Sequence, residues 1–111
     1  MKLSQQTINN IQVINLEGWL DMDSSDIFQE AFDTWLKSST NFVFDCSRLE
    51  FIDSTGLGRL LLCLKQTMKK DGDIKLAKIN EKMSMFLEIT KANDIFQIFP
   101  TVEEAVDSYS T

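Results

Sequence analysis

The chain has 111 residues, 43% hydrophobic and 25% charged, with a formal net charge of −6. The length fits one domain over 1–111, and eight Phe with two Trp supply a real core, which excludes a disordered chain. The acidic balance argues against nucleic acid and anionic membranes as partners, and the absence of histidine excludes His-based zinc sites and any Ser-His-Asp or Cys-His pair.

Taken in chain order, residues 5–17 read as two short strands with partial apolar alternation at Ile11, Val13, Ile14 and Leu16. Asn9-Asn10 suits the turn between them, because Asn tolerates positive φ, and Gly18 is expected to break the second strand. Asp21, Asp23 and Asp26 crowd the start of a helix, where carboxylates meet the positive end of the dipole. Ser24 or Asp23 is the expected cap. Ile27, Phe28, Ala31, Phe32, Trp35 and Leu36 recur at helical spacing and predict one buried face.

Phe42-Val43-Phe44 is an uninterrupted apolar run of the kind that suits a parallel strand covered on both faces. Asp53-Ser54-Thr55-Gly56 follows and opens a leucine-rich helix. On a helical wheel Leu60, Leu61, Leu64 and Met68 fall within about 60° of Leu57, while Arg59, Gln66 and Lys70 fall on the far, wet side. Leu62 breaks this division: either the helix is buried on more than one side, or Leu62 is an exposed apolar contact beside Arg59. The helix starts near Ser54 or Thr55, with Thr55 the expected cap. A turn at Asp71-Gly72-Asp73 leads to a strand through Ile74, Leu76 and Ile79. Met83, Phe86, Leu87 and Thr90 mark a further helix face, and residues 95–99 a last strand. Thr101 with Glu104 forms a capping box for a final short helix. Strands alternating with helices define an α/β fold.

No apolar run reaches the roughly 20 residues of a membrane span, and the N-terminus carries no apolar signal segment. Cys46 and Cys63, without metal or disulfide spacing, read as buried free thiols in a reducing cytoplasm. The Ser54 region fails as an enzyme: no lysine stands three residues after Ser54, Ile52 replaces the first glycine of a nucleophile elbow, and Gly56-x-Gly58 is too short for a dinucleotide fingerprint. A hydroxyl at a helix N-terminus can also carry a phosphate, which the free N–H groups accommodate.

The stretch from Asn41 to Phe99, with Asp53-Ser54-Thr55-Gly56-Leu57-Gly58 at its centre, resembles the signature half of the STAS domain, the family of anti-sigma factor antagonists. Residues 14–32 resemble that family's entry into its first helix. The resemblance implies a mixed β-sheet of about five strands packed against about four helices, and no cofactor or metal. It implies a partner-switching protein rather than an enzyme. The unphosphorylated form binds an anti-sigma factor with serine kinase activity; phosphorylation maps to Ser54, with Thr55 as alternative, and a PP2C-type phosphatase reverses it. The expected partner-binding set is Asp21, Asp23, Asp53, Ser54, Thr55, Gly56, Arg59 and Leu62. The resemblance also admits a second role, as the docking subunit of a lipid ABC transport complex.

Overall fold

The structure, a computed structural model, describes residues 1–110. Apolar alternation in the N-terminal third builds a hairpin: β1 (Lys2–Ile8) pairs antiparallel with β2 (Ile11–Leu20). Asn9 and Asn10 turn the chain with φ of 50° and 68°, the left-handed pair that a two-residue hairpin requires. Both strands outrun the predicted limits. Gly18 does not end β2; it sits within the strand at φ +102°, between two shifts of register against β3 (Asn41–Ile52). β3 is longer than expected for the same reason. Residues 45–52 stay in the sheet by pairing with β2 through Arg48, Leu49, Phe51 and Ile52.

β4 (Asp73–Ala77) and β5 (Ile98–Phe99) complete a sheet of order β1-β2-β3-β4-β5, parallel except at β1. The last strand is shorter than residues 95–99, because a 3₁₀ turn at Ala92–Asp94 delays it. With helices α1 (Ser25–Leu36), α2 (Ser54–Met68), α3 (Glu81–Thr90) and α4 (Val102–Asp107), the fold is the mixed five-stranded sheet and four helices that the sequence predicts.

One face of the sheet packs against α1, α2 and α3. Its centre is aromatic: Phe28 meets Phe44 edge-on at 5.7 Å, and Phe32 lies 5.0 Å from Phe42. The other face packs Val13, Val43 and Ala77 under Val102, Ala105 and Val106 of α4. There Lys75 is buried, donating from Nζ to Ser108 Oγ at 2.6 Å and lying 4.0 Å from the Tyr109 ring centroid. Burial lowers its pKa. The Tyr109 hydroxyl reaches the Phe42 carbonyl at 2.7 Å, fastening the C-terminal turn to the sheet. The Thr101 cap of α4 is as predicted, its hydroxyl accepting from the Glu104 N–H.

Two helix faces differ from the wheel. In α1 the buried residues are Ser25, Phe28, Phe32 and Leu36, whereas Ile27 is exposed. In α2 the predicted wet side is covered by α1. Arg59 donates to Ser25 Oγ at 2.7 Å, to Gln29 Oε1 at 3.2 Å and to Asp26 Oδ1 at 3.0 Å. Gln66 accepts from Gln29, and Lys70 reaches the Leu36 carbonyl. A polar face can face a neighbouring helix when hydrogen bonds satisfy it. Met68, placed on the core side by the wheel, is 59% exposed, although its neighbour Thr67 is fully buried.

Candidate functional site

At the end of β3 the chain leaves the sheet at Asp53 and enters α2 at Ser54. The cap is Asp53, not Thr55: its Oδ1 accepts from the Gly56 N–H at 2.8 Å. A carboxylate serves well here because it satisfies an orphan N–H and sits at the positive end of the helix dipole. The same side chain reaches further. Its Oδ2 accepts from the Met22 N–H at 3.3 Å, and the Asp53 N–H donates to the Leu20 carbonyl at 3.3 Å. One residue therefore ties the mouth of α2 to the loop between β2 and α1.

Gly56 makes that closeness possible. A Cβ there would collide with the Leu20 carbonyl, a backbone group that cannot step aside. The loop itself is held by Asp21, whose Oδ1 accepts from the N–H groups of Asp23 and Ser24 at 3.0 and 3.1 Å. Ser24 holds the cap position of α1 without capping it; its hydroxyl donates to the Trp19 carbonyl at 2.7 Å.

The hydroxyls of Ser54 and Thr55 are both exposed, and among the described residues neither makes a hydrogen bond. With the cap supplied by Asp53, both remain chemically available. Asp23 is also exposed. The structure thus brings Asp21, Asp53, Ser54, Thr55 and Gly56 together around one loop-to-helix junction. Arg59 stands apart in function, since all three of its hydrogen bonds go to α1. Leu62 is 43% exposed, two turns along from Ser54, with Gly58 open to solvent between them.

Sequence reading missed the apolar surroundings. Met22, beside Asp53, is 73% exposed. Trp19 and Phe51, paired in register across β2 and β3, lie exposed with tilted rings 5.1 Å apart, and the Trp19 indole donates to Glu50. The signal was present as alternation: Trp19 out and Leu20 in, Phe51 out and Ile52 in. Phe51 and Ile52 also border a crevice of about 220 Å³ against Met83 and Phe86 of α3, with Lys82 at its edge.

Both cysteines are free and buried. Burial pushes Cys63 from 9.0 to about 12, with Arg59 nearby pulling the other way. Cys46 is likewise pushed to about 12 by burial, and the Asp45 charge adds to it. Such thiols are inert at neutral pH. No helix among the described residues is long and apolar enough to cross a membrane.

This arrangement of sheet, acidic loop and hydroxyl-bearing helix mouth defines a class, and the STAS domain profile matches residues 2–105. The chain belongs to the STAS domain family. Among curated proteins it is 28% identical over 102 residues to the anti-sigma-B factor antagonist of Bacillus subtilis, covering 92% of this chain and 93% of that one. Its fold matches an anti-sigma factor antagonist from Mycobacterium paratuberculosis with a TM-score of 0.88 at 19% identity, covering 99% and 94% of the two chains. It also matches SpoIIAA, a Bacillus cell fate determinant solved in its phosphorylated form, with a TM-score of 0.75 at 22% identity, covering 97% and 99%.

Proposed function

We infer that the chain is an anti-sigma factor antagonist that works as a binding protein, a single cytoplasmic STAS domain. Its unphosphorylated form binds an anti-sigma factor that is also a serine kinase, and so releases a sigma factor. Phosphorylation of Ser54 ends the interaction, and a PP2C-type phosphatase restores it. The observation that carries this reading is the Ser54 hydroxyl: exposed, without a hydrogen bond among the described residues, and at the first position of α2, with the cap supplied by its neighbour Asp53. The names of the relatives, and the phosphorylated form of SpoIIAA, support it.

The switching step is electrostatic. A phosphate on Ser54 adds about −1.5 to −2 charges to a junction that already holds Asp21, Asp23 and Asp53, beside the exposed Met22. In a close interface the dianion is desolvated against acids and apolar groups. A penalty of about 4 kcal/mol weakens binding roughly a thousandfold. Asp53 orients the loop that the kinase meets; the kinase supplies the catalytic base and Mg·ATP. Arg59 holds α1 in place behind this surface, and Leu62 extends it along α2.

Incubation with ATP and the cognate anti-sigma kinase, read by intact mass, tests the reading. Wild type gains one phosphate, Thr55→Ala gains it too, and Ser54→Ala does not. In calorimetry Ser54→Ala binds the anti-sigma factor like wild type, whereas Ser54→Asp binds far more weakly. An unmodified wild type that instead co-purifies with a transporter ATPase overturns the reading.

A further inference from the structure

The far end of α2 carries a surface that Ser54 does not use. Leu61, Leu64 and Met68 stand at i, i+3 and i+7, one apolar stripe on the helix. Along the helix Leu61 is half-buried, Leu64 is buried and Met68 is largely exposed, so at the last turn the stripe leaves the core for solvent. Opposite it, Ile95 follows the 3₁₀ turn and is 56% exposed. Between them lies an open groove of about 400 Å³, lined by these four residues together with Lys65 and Lys69. The two lysines are i, i+4 neighbours on one edge of α2. Neither has an ion-pair partner among the described residues. On a chain of net charge −6, this is a local reversal of sign beside an apolar floor.

We propose that this groove docks an acidic amphipathic helix of a partner protein. The helix seats its apolar side chains on Leu61, Leu64, Met68 and Ile95, and its flanking carboxylates meet Lys65 and Lys69. Charge complementarity selects this occupant over the others. An anionic bilayer meets the whole acidic body rather than the rim, and the net charge opposes it. A two-fold contact between copies of this chain sets the lysine rim against itself, since such an interface uses the same patch twice. A single helix meets only the rim and the floor. The unbranched, adaptable Met68 side chain fits a surface that repacks around a partner.

Along α2 at 1.5 Å per residue the apolar floor begins about 10 Å from Ser54, at Leu61, but the charged rim lies further off, Lys65 at about 16 Å and Lys69 at about 22 Å, beyond the Debye length of about 8 Å at physiological ionic strength. A phosphate at Ser54 therefore leaves it unchanged. The docking is constitutive: it holds a partner whether or not the other end of α2 is modified.

The test uses the full chain and two synthetic helices with the same leucines at i, i+3, i+4 and i+7, one flanked by Glu and one by Lys. Fluorescence anisotropy should show the Glu-flanked helix binding at least roughly tenfold more tightly than the Lys-flanked one. The methionine methyl spectrum should show Met68 shifting on binding. Met68→Asp, and the pair Lys65→Glu with Lys69→Glu, should each lose roughly tenfold or more in affinity with unchanged melting temperature; Ser54→Asp should lose none. Equal affinity for both helices, an unmoved Met68 signal, or variants that bind like wild type overturn the proposal. So does preferential binding to phosphatidylglycerol vesicles, or self-association that Met68→Asp abolishes.

Discussion

At its first turn α2 is held against the neighbouring loop by a carboxylate cap, a backbone bond and a glycine with no room for a side chain. At its last turn the same helix carries an exposed Met68 and two lysines without ion-pair partners among the described residues. The first arrangement is stiff and acidic, the second adaptable and basic. Under the proposed function, a charge added at the stiff end acts on whatever is docked there. A surface at the adaptable end can change shape to suit a partner.

The sharpest way to break this contrast is Gly56→Ala. The new methyl group meets the Leu20 carbonyl, so overpacking should cost about 3 kcal/mol or more, and the melting temperature should fall by ten degrees or the chain should fail to fold. Next comes Asp53→Ala, which removes the cap and the bond from Met22 together; a loss of about 1–2 kcal/mol in urea unfolding is expected. Cys63, midway along the helix, reports on burial through pH. Its folded pKa is raised to about 12, so above about pH 9 the unfolded chain has lost a proton that the folded chain keeps. Stability therefore falls as pH rises from about 9 to 12, by up to about 1.4 kcal/mol per pH unit for each such thiol. Cys63→Ala should show a shallower slope between about pH 8 and pH 10.5, with Cys46, Tyr109 and Lys75 common to both proteins. The smallest effect has the opposite sign. Gly58→Ala points its methyl into open space and should stabilise the helix by about 0.5–1 kcal/mol, seen as a small rise in melting temperature.

The parts of the molecule that depend on neighbours in sequence were legible. Asn9-Asn10, the apolar run at Phe42, the leucine stripe of α2 and the Thr101 cap follow from local periodicity and turn chemistry. What was not legible depends on neighbours in space. Gly18 read as a break, and the Phe42-Val43-Phe44 run did not by itself extend its strand to Ile52, yet register with the adjacent strand keeps both in the sheet. For the cap of α2 the sequence offered the hydroxyls of Ser54 and Thr55; the carboxylate of Asp53 takes the role, and a bond from the distant Met22 N–H helps to hold it there. The wheel separated Arg59, Gln66 and Lys70 from the leucines correctly. It carried no information that a second helix would lie along that side and satisfy them. Trp19 and Phe51 became a pair only once the strand register was known.

The division of labour between Asp53 and Ser54 also bears on rates. A residue that caps a helix is reached by a modifying enzyme only after the helix end frays, and the rate then carries the free energy of that opening. The Ser54 side chain makes no hydrogen bond among the described residues. Under the proposed function, a kinase acting on it would work on the native state directly, so its speed would be set by encounter and fit, and amide protection of the first turn of α2 need not fall for the reaction to proceed.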